Sequence, residues 1–181
     1  MRVPKFTYAF VAMVCFIGWL DWYVCLSFLL CTLVHELGHM LALKLCDVPL
    51  GQMNIGITGA RIKMGFLGYG KEFLCAAAGP LVGAAFSVLV LRSMPKTAVV
   101  GFVLSAVNLL PVYPLDGGRM LRAFLCICMK EETALCTARV VSGVTCCVLM
   151  IGACWAACCW QMGLWPVFAS LVLLCRVGSR D

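Results

Sequence analysis

Residues 140–175 form a run of 36 amino acids that contains no charged side chain. Further uncharged runs lie at residues 6–20, 22–34, 73–91 and 97–115. A helix needs about 20 apolar residues to cross the hydrocarbon core of a bilayer. Only 12% of the residues are charged and 64% are hydrophobic, whereas a soluble domain averages about 25% and roughly 45–50%. The runs therefore predict an integral membrane protein.

The same runs predict the fold class, which is an all-α membrane protein. We expect a polytopic bundle of about six transmembrane helices that forms a single domain over residues 1–181. The 36-residue run is long enough for two crossings, with a break at residues 161–166. The N-terminal run has the basic start and apolar centre of a signal peptide, but it lacks a small-x-small cleavage site. We therefore interpret it as a retained first span.

The basic residues predict the orientation in the membrane. If the N-terminus is cytoplasmic, twelve of the fourteen Lys and Arg residues lie in inside loops, and only Arg92 and Lys96 lie outside. The positive-inside rule expects this distribution in a multi-pass protein of the cell membrane. Contact with anionic lipid then explains the net charge of +6. A nucleic-acid partner is not expected, because the chain has no basic platform interleaved with aromatic residues.

The fourteen cysteines lie mostly within apolar runs, and no two of them form a CxxC pair. Zinc-ribbon and thioredoxin-like arrangements therefore have little support. We interpret these cysteines as small hydrophobic residues in packed helices.

Both histidines of the chain lie in the apolar segment LVHELGHMLA, residues 33–42. His35 and His39 are four positions apart, so on a helix they share one face and can bind a single Zn²⁺. Glu36 follows the first histidine and can act as general base on a metal-bound water, as in the H-E-x-x-H arrangement of metallopeptidases. Incidental placement is a weak alternative, because ionisable side chains are costly at membrane depth. Since His39 lies five residues before Lys44, we expect the site on the cytoplasmic side.

Asp116 is the candidate for a third ligand. Catalytic zinc usually takes three protein ligands, and without a third histidine a carboxylate must serve. Asp116 follows two prolines and precedes Gly117-Gly118, residues that interrupt a helix and let the backbone turn. The alternatives are that Asp116 caps a helix or pairs with Arg119. Most of the other candidate carboxylates flank predicted spans, where solvated interfacial charge explains them. The full set of these other candidates is Asp21, Asp47, Glu72, Glu131, Glu132 and Asp181.

Two motifs carry a family resemblance. HELGH at residues 35–39, together with NLLPVYPLDGGR at residues 108–119, resembles the site-2 protease family of intramembrane zinc metalloproteases. The turn AAGP at residues 77–80 is similar to a third element of that family. The short form of the chain most resembles the bacterial branch that includes the sporulation factor processing enzyme.

The resemblance implies hydrolysis of peptide bonds in or next to transmembrane segments, with a catalytic core at about residues 22–128. It implies one Zn²⁺ per chain held by His35, His39 and Asp116, with Glu36 as the general base. It also implies that Asn108 holds substrate backbone or the developing oxyanion, although a buried interhelical hydrogen bond is an alternative for Asn108. The expected partners are a transmembrane or membrane-associated protein substrate and the bilayer, and a regulatory membrane protein can be added to them.

One position departs from the family pattern, and one element of the pattern has a structural interpretation. Many relatives carry an asparagine near the position of Gly83, and a polar contact from that side chain is not expected here. We interpret Gly79-Pro80 as a helix kink or a place of close helix packing, and not as catalytic residues.

Two functions from other classes also fit a membrane chain with such a motif. The first is a metal-binding or zinc-transporting membrane protein, and the second is a non-catalytic scaffold that binds transmembrane helices. A third ligand of the catalytic type argues against transport. The presence of Glu36 argues against a scaffold, since a pure binder needs no base.

Residues 48–70 separate the second and third predicted spans and predict a short β-hairpin. Ile55 and Ile57, and then Ile62 and Met64, alternate around a Thr-Gly-Ala turn, as in paired strands. An extended substrate could add to the edge of such a hairpin as another strand. A plain surface loop is the alternative.

Overall fold

The computed structural model describes residues 21–47, 53–56, 59–62 and 68–160. These residues form five helices and two strands: α1 (Trp22–Leu45), β1 (Met53–Gly56), β2 (Gly59–Ile62), α2 (Tyr69–Val90), α3 (Pro95–Asn108), α4 (Asp116–Cys128) and α5 (Glu131–Trp160).

Three of the described helices are long and apolar enough to cross a membrane. They are α1 with 24 residues, α2 with 22, and the segment Glu131–Trp155 of α5 with 25. The N-terminus of α1 is capped by Asp21, whose Oδ1 accepts a hydrogen bond from the Tyr23 N–H at 2.9 Å. The cap satisfies one of the donors that a helix start leaves without an intrahelical partner.

The span predicted at residues 97–115 is wrong in its extent. Helix α3 has 14 residues and ends at Asn108, which gives it a length of about 21 Å against a hydrocarbon core of about 30 Å. Residues 109–115 are non-helical, because Pro111 and Pro114 cannot donate to a helical ladder. The spans predicted at residues 6–20 and beyond Trp160 lie outside the described residues, so six spans stay a prediction.

The two strands pair antiparallel within the segment in which the sequence predicts a hairpin. Met53 lies opposite Ile62, and Gly56 lies opposite Gly59, so two residues separate the strands. Residues 48–52 and 63–67 of that segment lie outside the described residues.

Helix α2 lies at the centre of the bundle, where it packs against α1, α3 and α4, while α5 packs against α4. The interior is built from small side chains, with Ala76, Ala98 and Ala123 fully buried. Large side chains point outwards, and Leu89 is 81% exposed. Small residues inside and large apolar residues outside suit a bundle whose solvent is lipid, because helices then associate through close packing.

Candidate metal centre

Helix α1 presents both histidines to the interior of the bundle. His35 is 5% exposed, and the His39 side chain is 15% exposed. Their Nε2 atoms lie 3.2 Å apart, and the two rings meet edge to face with centroids separated by 4.8 Å. The four-residue spacing on one helix produces this proximity.

Asp116 reaches the histidines from the start of α4. Its Oδ2 lies 2.9 Å from His35 Nε2 and 3.1 Å from His39 Nε2. The residue is 8% exposed. It is the first residue of α4 and Leu115 is the cap, so the helix-cap alternative for Asp116 is wrong. The pairing with Arg119 is present, because Arg119 Nη1 lies 3.5 Å from Asp116 Oδ1. One carboxylate oxygen therefore faces the histidines while the other faces the guanidinium.

The three donor atoms fit a zinc ion. A tetrahedral zinc with ligands at about 2.0–2.1 Å places those ligands about 3.3 Å from one another. The observed separations are 2.9, 3.1 and 3.2 Å, so an expansion of a few tenths of an ångström accommodates the ion. Two imidazoles and one carboxylate are also the ligand types that a catalytic zinc takes.

A backbone carbonyl orients the His39 ring towards this centre. His39 Nδ1 lies 2.7 Å from the Cys75 carbonyl oxygen on α2. A carbonyl oxygen only accepts, so Nδ1 carries the hydrogen, and Nε2 of the neutral ring keeps its lone pair for a metal. Metal-binding histidines are commonly held in this way by a partner on the other ring nitrogen.

Two glycines allow α1 and α2 to approach each other at the level of the histidines. A Cβ on Gly79 would lie 2.8 Å from His39 Cδ2 and closer still to Nε2 and Cε1. A Cβ on Gly38 would lie 2.8 Å from the Ala78 carbonyl oxygen. The place of close packing predicted at Gly79 is therefore directly beneath a ring of the metal centre. Pro80, which is fully buried, cannot donate to the carbonyl four residues earlier and so weakens the helix at this turn.

Gly83, the position near which many relatives carry an asparagine, lies beside His35. A Cβ on Gly83 would lie 3.9 Å from His35 Nδ1 and 2.9 Å from Ser105 Oγ. Within the part of the chain that the structure describes, His35 Nδ1 is buried and has no hydrogen-bond partner. The ring of His35 therefore lacks the kind of anchor that the Cys75 carbonyl gives to His39.

Glu36 and Asn108 are not members of the cluster formed by His35, His39 and Asp116. Glu36 is exposed and points about 100° around α1 from His35. Asn108 is half-buried at the last position of α3, where Nδ2 donates to the Leu104 carbonyl oxygen at 3.1 Å. This hydrogen bond lies within one helix and differs from the interhelical bond considered for Asn108. The roles of both residues stay predictions.

Glu72 and Arg122 form a buried ion pair that joins α2 to α4. Arg122 Nη2 donates to Glu72 Oε1 at 2.8 Å, and the two side chains are 14% and 9% exposed. The interpretation of Glu72 as a solvated interfacial charge is therefore wrong. The ion pair joins the helix that begins with Asp116 to the helix whose backbone holds His39.

A double-mutant cycle on this ion pair is expected to be strongly non-additive. Glu72→Met takes the Glu72 carboxylate away from the Arg122 guanidinium, whose side chain is 14% exposed, and we expect a loss of about 3 kcal/mol in the free energy of unfolding. The combined Glu72→Met and Arg122→Met variant is expected to lose less than the Glu72→Met variant alone, because no buried charge is left over. Denaturant unfolding in detergent measures both. If the loss in the double variant equalled the sum of the losses in the two single variants, the pair would not be coupled. Glu132→Gln, at an exposed position, is the control.

A model of peptidase family M50 matches residues 90–152. The fold is similar to that of the Site-2 Protease from Methanocaldococcus jannaschii, with a TM-score of 0.69 and 19% sequence identity over 95% of this chain and 86% of that chain. The two findings support the resemblance to the site-2 protease family, since one shows a shared fold and the other a peptidase family match over part of the chain. The M50 match includes Asn108 and Asp116, whereas the histidine motif precedes it. A comparison with curated proteins finds no match.

Sequence reasoning missed two contributors to the centre of this site-2 protease fold. The Cys75 carbonyl belongs to the backbone, so the type of residue at position 75 does not indicate that this carbonyl binds His39. The Glu72–Arg122 ion pair joins residues 50 positions apart, and a single sequence gives no signal for such a pairing. A glycine directly before a proline inside an apolar run was the available signal for Gly79.

Proposed function

We propose that the chain is an intramembrane zinc metalloprotease that hydrolyses peptide bonds in or next to transmembrane segments of membrane-associated proteins. The observation that carries the proposal is the convergence of His35 Nε2, His39 Nε2 and Asp116 Oδ2 within 3.2 Å of one another among apolar helices. Ionisable groups at membrane depth are costly and usually functional, and the binding of a cation would account for these three. The match to a peptidase family supports hydrolysis over transport or scaffolding.

His35, His39 and Asp116 would hold one zinc ion per chain. A zinc ion bound there would supply a nucleophile at neutral pH by lowering the pKa of a coordinated water, and it would polarise the scissile carbonyl. The Cys75 carbonyl keeps the proton of His39 on Nδ1. Arg119 holds Oδ1 of Asp116 at 3.5 Å, which leaves Oδ2 for the metal.

Glu36 would act as the general base and then as the general acid. Its carboxylate accepts the proton of the attacking water and delivers it to the amine of the leaving peptide. Exposure of Glu36 suits this role, because the carboxylate must be reached by both water and substrate. A positioned proton-transfer group typically contributes about 10² to 10⁴ in rate.

Asn108 would hold the substrate backbone or the developing oxyanion. Its Nδ2 donates to Leu104 within α3, so the carboxamide would have to exchange this partner for the substrate. A donor aimed at an oxyanion is worth about 3 kcal/mol.

The substrate would enter as an extended segment near the cytoplasmic edge of the membrane. A peptide carbonyl inside a helix is hydrogen-bonded and crowded, so the transmembrane helix of the substrate must unwind first. Within the described part of the chain, the antiparallel pair Met53–Gly56 and Gly59–Ile62 is a two-stranded sheet, and an extended peptide could add to its edge as a further strand. The orientation with the N-terminus and the site towards the cytoplasm of a cell membrane is part of the proposal, as are a regulatory membrane partner and a role in sporulation.

Zinc analysis of the purified chain tests the proposal. We expect one zinc per chain and cleavage of a reporter protein with a single transmembrane segment. Asp116→Asn is expected to weaken zinc binding by more than about 100-fold, since it replaces a charged ligand with a neutral amide and so exceeds the effect typical of groups that only support a ligand. Absence of zinc from the wild-type chain, or zinc-dependent flux across liposomes without cleavage, would contradict the protease. The Asp181→Asn variant changes a carboxylate at the C-terminus and is the control.

A further inference from the structure

The non-helical segment before Asp116 needs hydrogen-bond partners for its backbone N–H groups. Residues 109–115 are seven residues, two of which are prolines without an N–H, so five N–H groups need acceptors. Non-helical backbone at membrane depth is tolerated only where protein or a water-filled cavity satisfies it. Four of the five donate to nearby backbone carbonyls: Leu109 to Ser105, Leu110 to Val107, Val112 to Leu110 and Leu115 to Val112.

The fifth N–H leaves the segment and reaches a different helix. The Tyr113 N–H donates to Ser142 Oγ on α5 at 3.4 Å. The Ser142 hydroxyl in turn donates to the Pro111 carbonyl oxygen at 3.1 Å. A hydroxyl has one proton to donate and two lone pairs to accept with, so both bonds can exist at once. One side chain therefore binds the backbone of the segment on both sides of Val112.

Burial makes these two bonds consequential. Ser142 is 3% exposed, and Val112 between its two partners is fully buried. Ser142 lies on a face of α5 made of small buried residues at four-residue spacing, which brings this helix close to its neighbours: Ala134, Ala138, Ser142 and Cys146. Loss of the hydroxyl would take this partner from the Pro111 carbonyl and the Tyr113 N–H, two part-buried backbone groups, and replacing a hydrogen bond lost in such surroundings is costly.

We propose that Ser142 is a positioning residue that fixes residues 109–115, so that Asp116 Oδ2 meets the two histidines. Tyr113, which Ser142 holds, is three residues before Asp116. None of the three ligands found among the described residues lies on α5, and through Ser142 this helix sets where the third ligand lies. The proposal rests on the metal site described under the proposed function.

Cobalt binding and amide exchange test this role. Co²⁺ replaces zinc as a probe, and its visible absorption reports the number and geometry of the ligands. We expect Ser142→Ala to bind Co²⁺ about 10-fold more weakly than the wild type, with an altered absorption spectrum, as when a group that supports a metal ligand is removed. Hydrogen exchange in residues 109–115 of the metal-free chain is expected to accelerate. Ser142→Thr keeps the hydroxyl and should restore both readouts towards the wild type.

Thr145→Val is the matched control. Thr145 is three residues further along α5, and its hydroxyl donates to the Val141 carbonyl oxygen of the same helix at 2.9 Å. Its loss should leave Co²⁺ affinity and exchange unchanged. The proposal is overturned if Ser142→Ala behaves like Thr145→Val in both measurements. A wild-type chain that binds no Co²⁺ would count against the metal site itself. Exchange would then decide the role of Ser142 alone, with unchanged exchange overturning it and faster exchange supporting it.

Discussion

A Gly79→Ala variant is expected to lose zinc affinity by more than about 100-fold while the helices remain folded. The added methyl group would lie 2.8 Å from His39 Cδ2 and closer still to the Nε2 and Cε1 atoms. The ring cannot turn aside without losing its hydrogen bond to the Cys75 carbonyl, and a shift of α2 away from α1 would open the close packing of Gly38 against the Ala78 carbonyl. Displacing a ligand should therefore exceed the 10- to 100-fold effect typical of changes around a ligand.

Gly152→Ala is the matched control for this variant. Among the described residues, no atom lies within 4 Å of a Cβ added to Gly152, and the residue is exposed on α5. Replacing glycine by alanine in an exposed helix should stabilise the fold by about 0.5–1 kcal/mol and leave zinc binding unchanged. Isothermal titration of the two metal-free variants with Zn²⁺ measures the contrast. Equal affinities would show that the His39 ring is not held against Gly79.

A Glu36→Gln variant is expected to keep its zinc and lose cleavage by about 10²- to 10⁴-fold, the range for removal of a proton-transfer group. The amide has nearly the size of the carboxylate but cannot take the proton of the attacking water. Zinc binding should persist, because Glu36 lies outside the cluster formed by His35, His39 and Asp116. Metal content and the cleavage rate of a transmembrane reporter are to be measured on the same preparation.

Glu132→Gln serves as the control for charge, since Glu132 is also exposed and lies in the first turn of α5. Its cleavage rate should match that of the wild type. If Glu36→Gln cleaved the reporter at the wild-type rate, another group would have to be the base. If it lost zinc as well, Glu36 would have a role in binding the metal.

The proximity of the metal-binding side chains could be predicted because it depends on local periodicity and simple chemistry. Positions 35 and 39 must share a face once the segment is helical, and the apolar run around them predicts the helix. Asp116 followed from the need for a third ligand and from the helix-breaking residues on both sides of it. Three long apolar helices followed from hydropathy alone.

Other features could not be predicted, because they depend on which helix faces touch. An apolar run predicts burial, but it does not distinguish a helix from a non-helical segment whose backbone groups are hydrogen-bonded. Residues 97–115 therefore looked like one span, although α3 ends at Asn108. Glu72 looked like an interfacial charge because its partner Arg122 lies on a helix 50 residues away. The role of Ser142 could not be read from the sequence, because its hydroxyl binds two backbone groups of a segment that is distant in the chain.

The glycine contact between α1 and α2 determines the direction from which a peptide can arrive. Gly38 and Gly79 bring the two backbones so close that a single methyl group would collide, so this seam is closed to a polypeptide. Glu36 lies about 200° around α1 from Gly38, on the open flank of the helix. If Glu36 is the general base, a substrate peptide that arrives along this face would meet the Glu36 carboxylate before the three proposed ligands, and the α1–α2 contact would lie behind them.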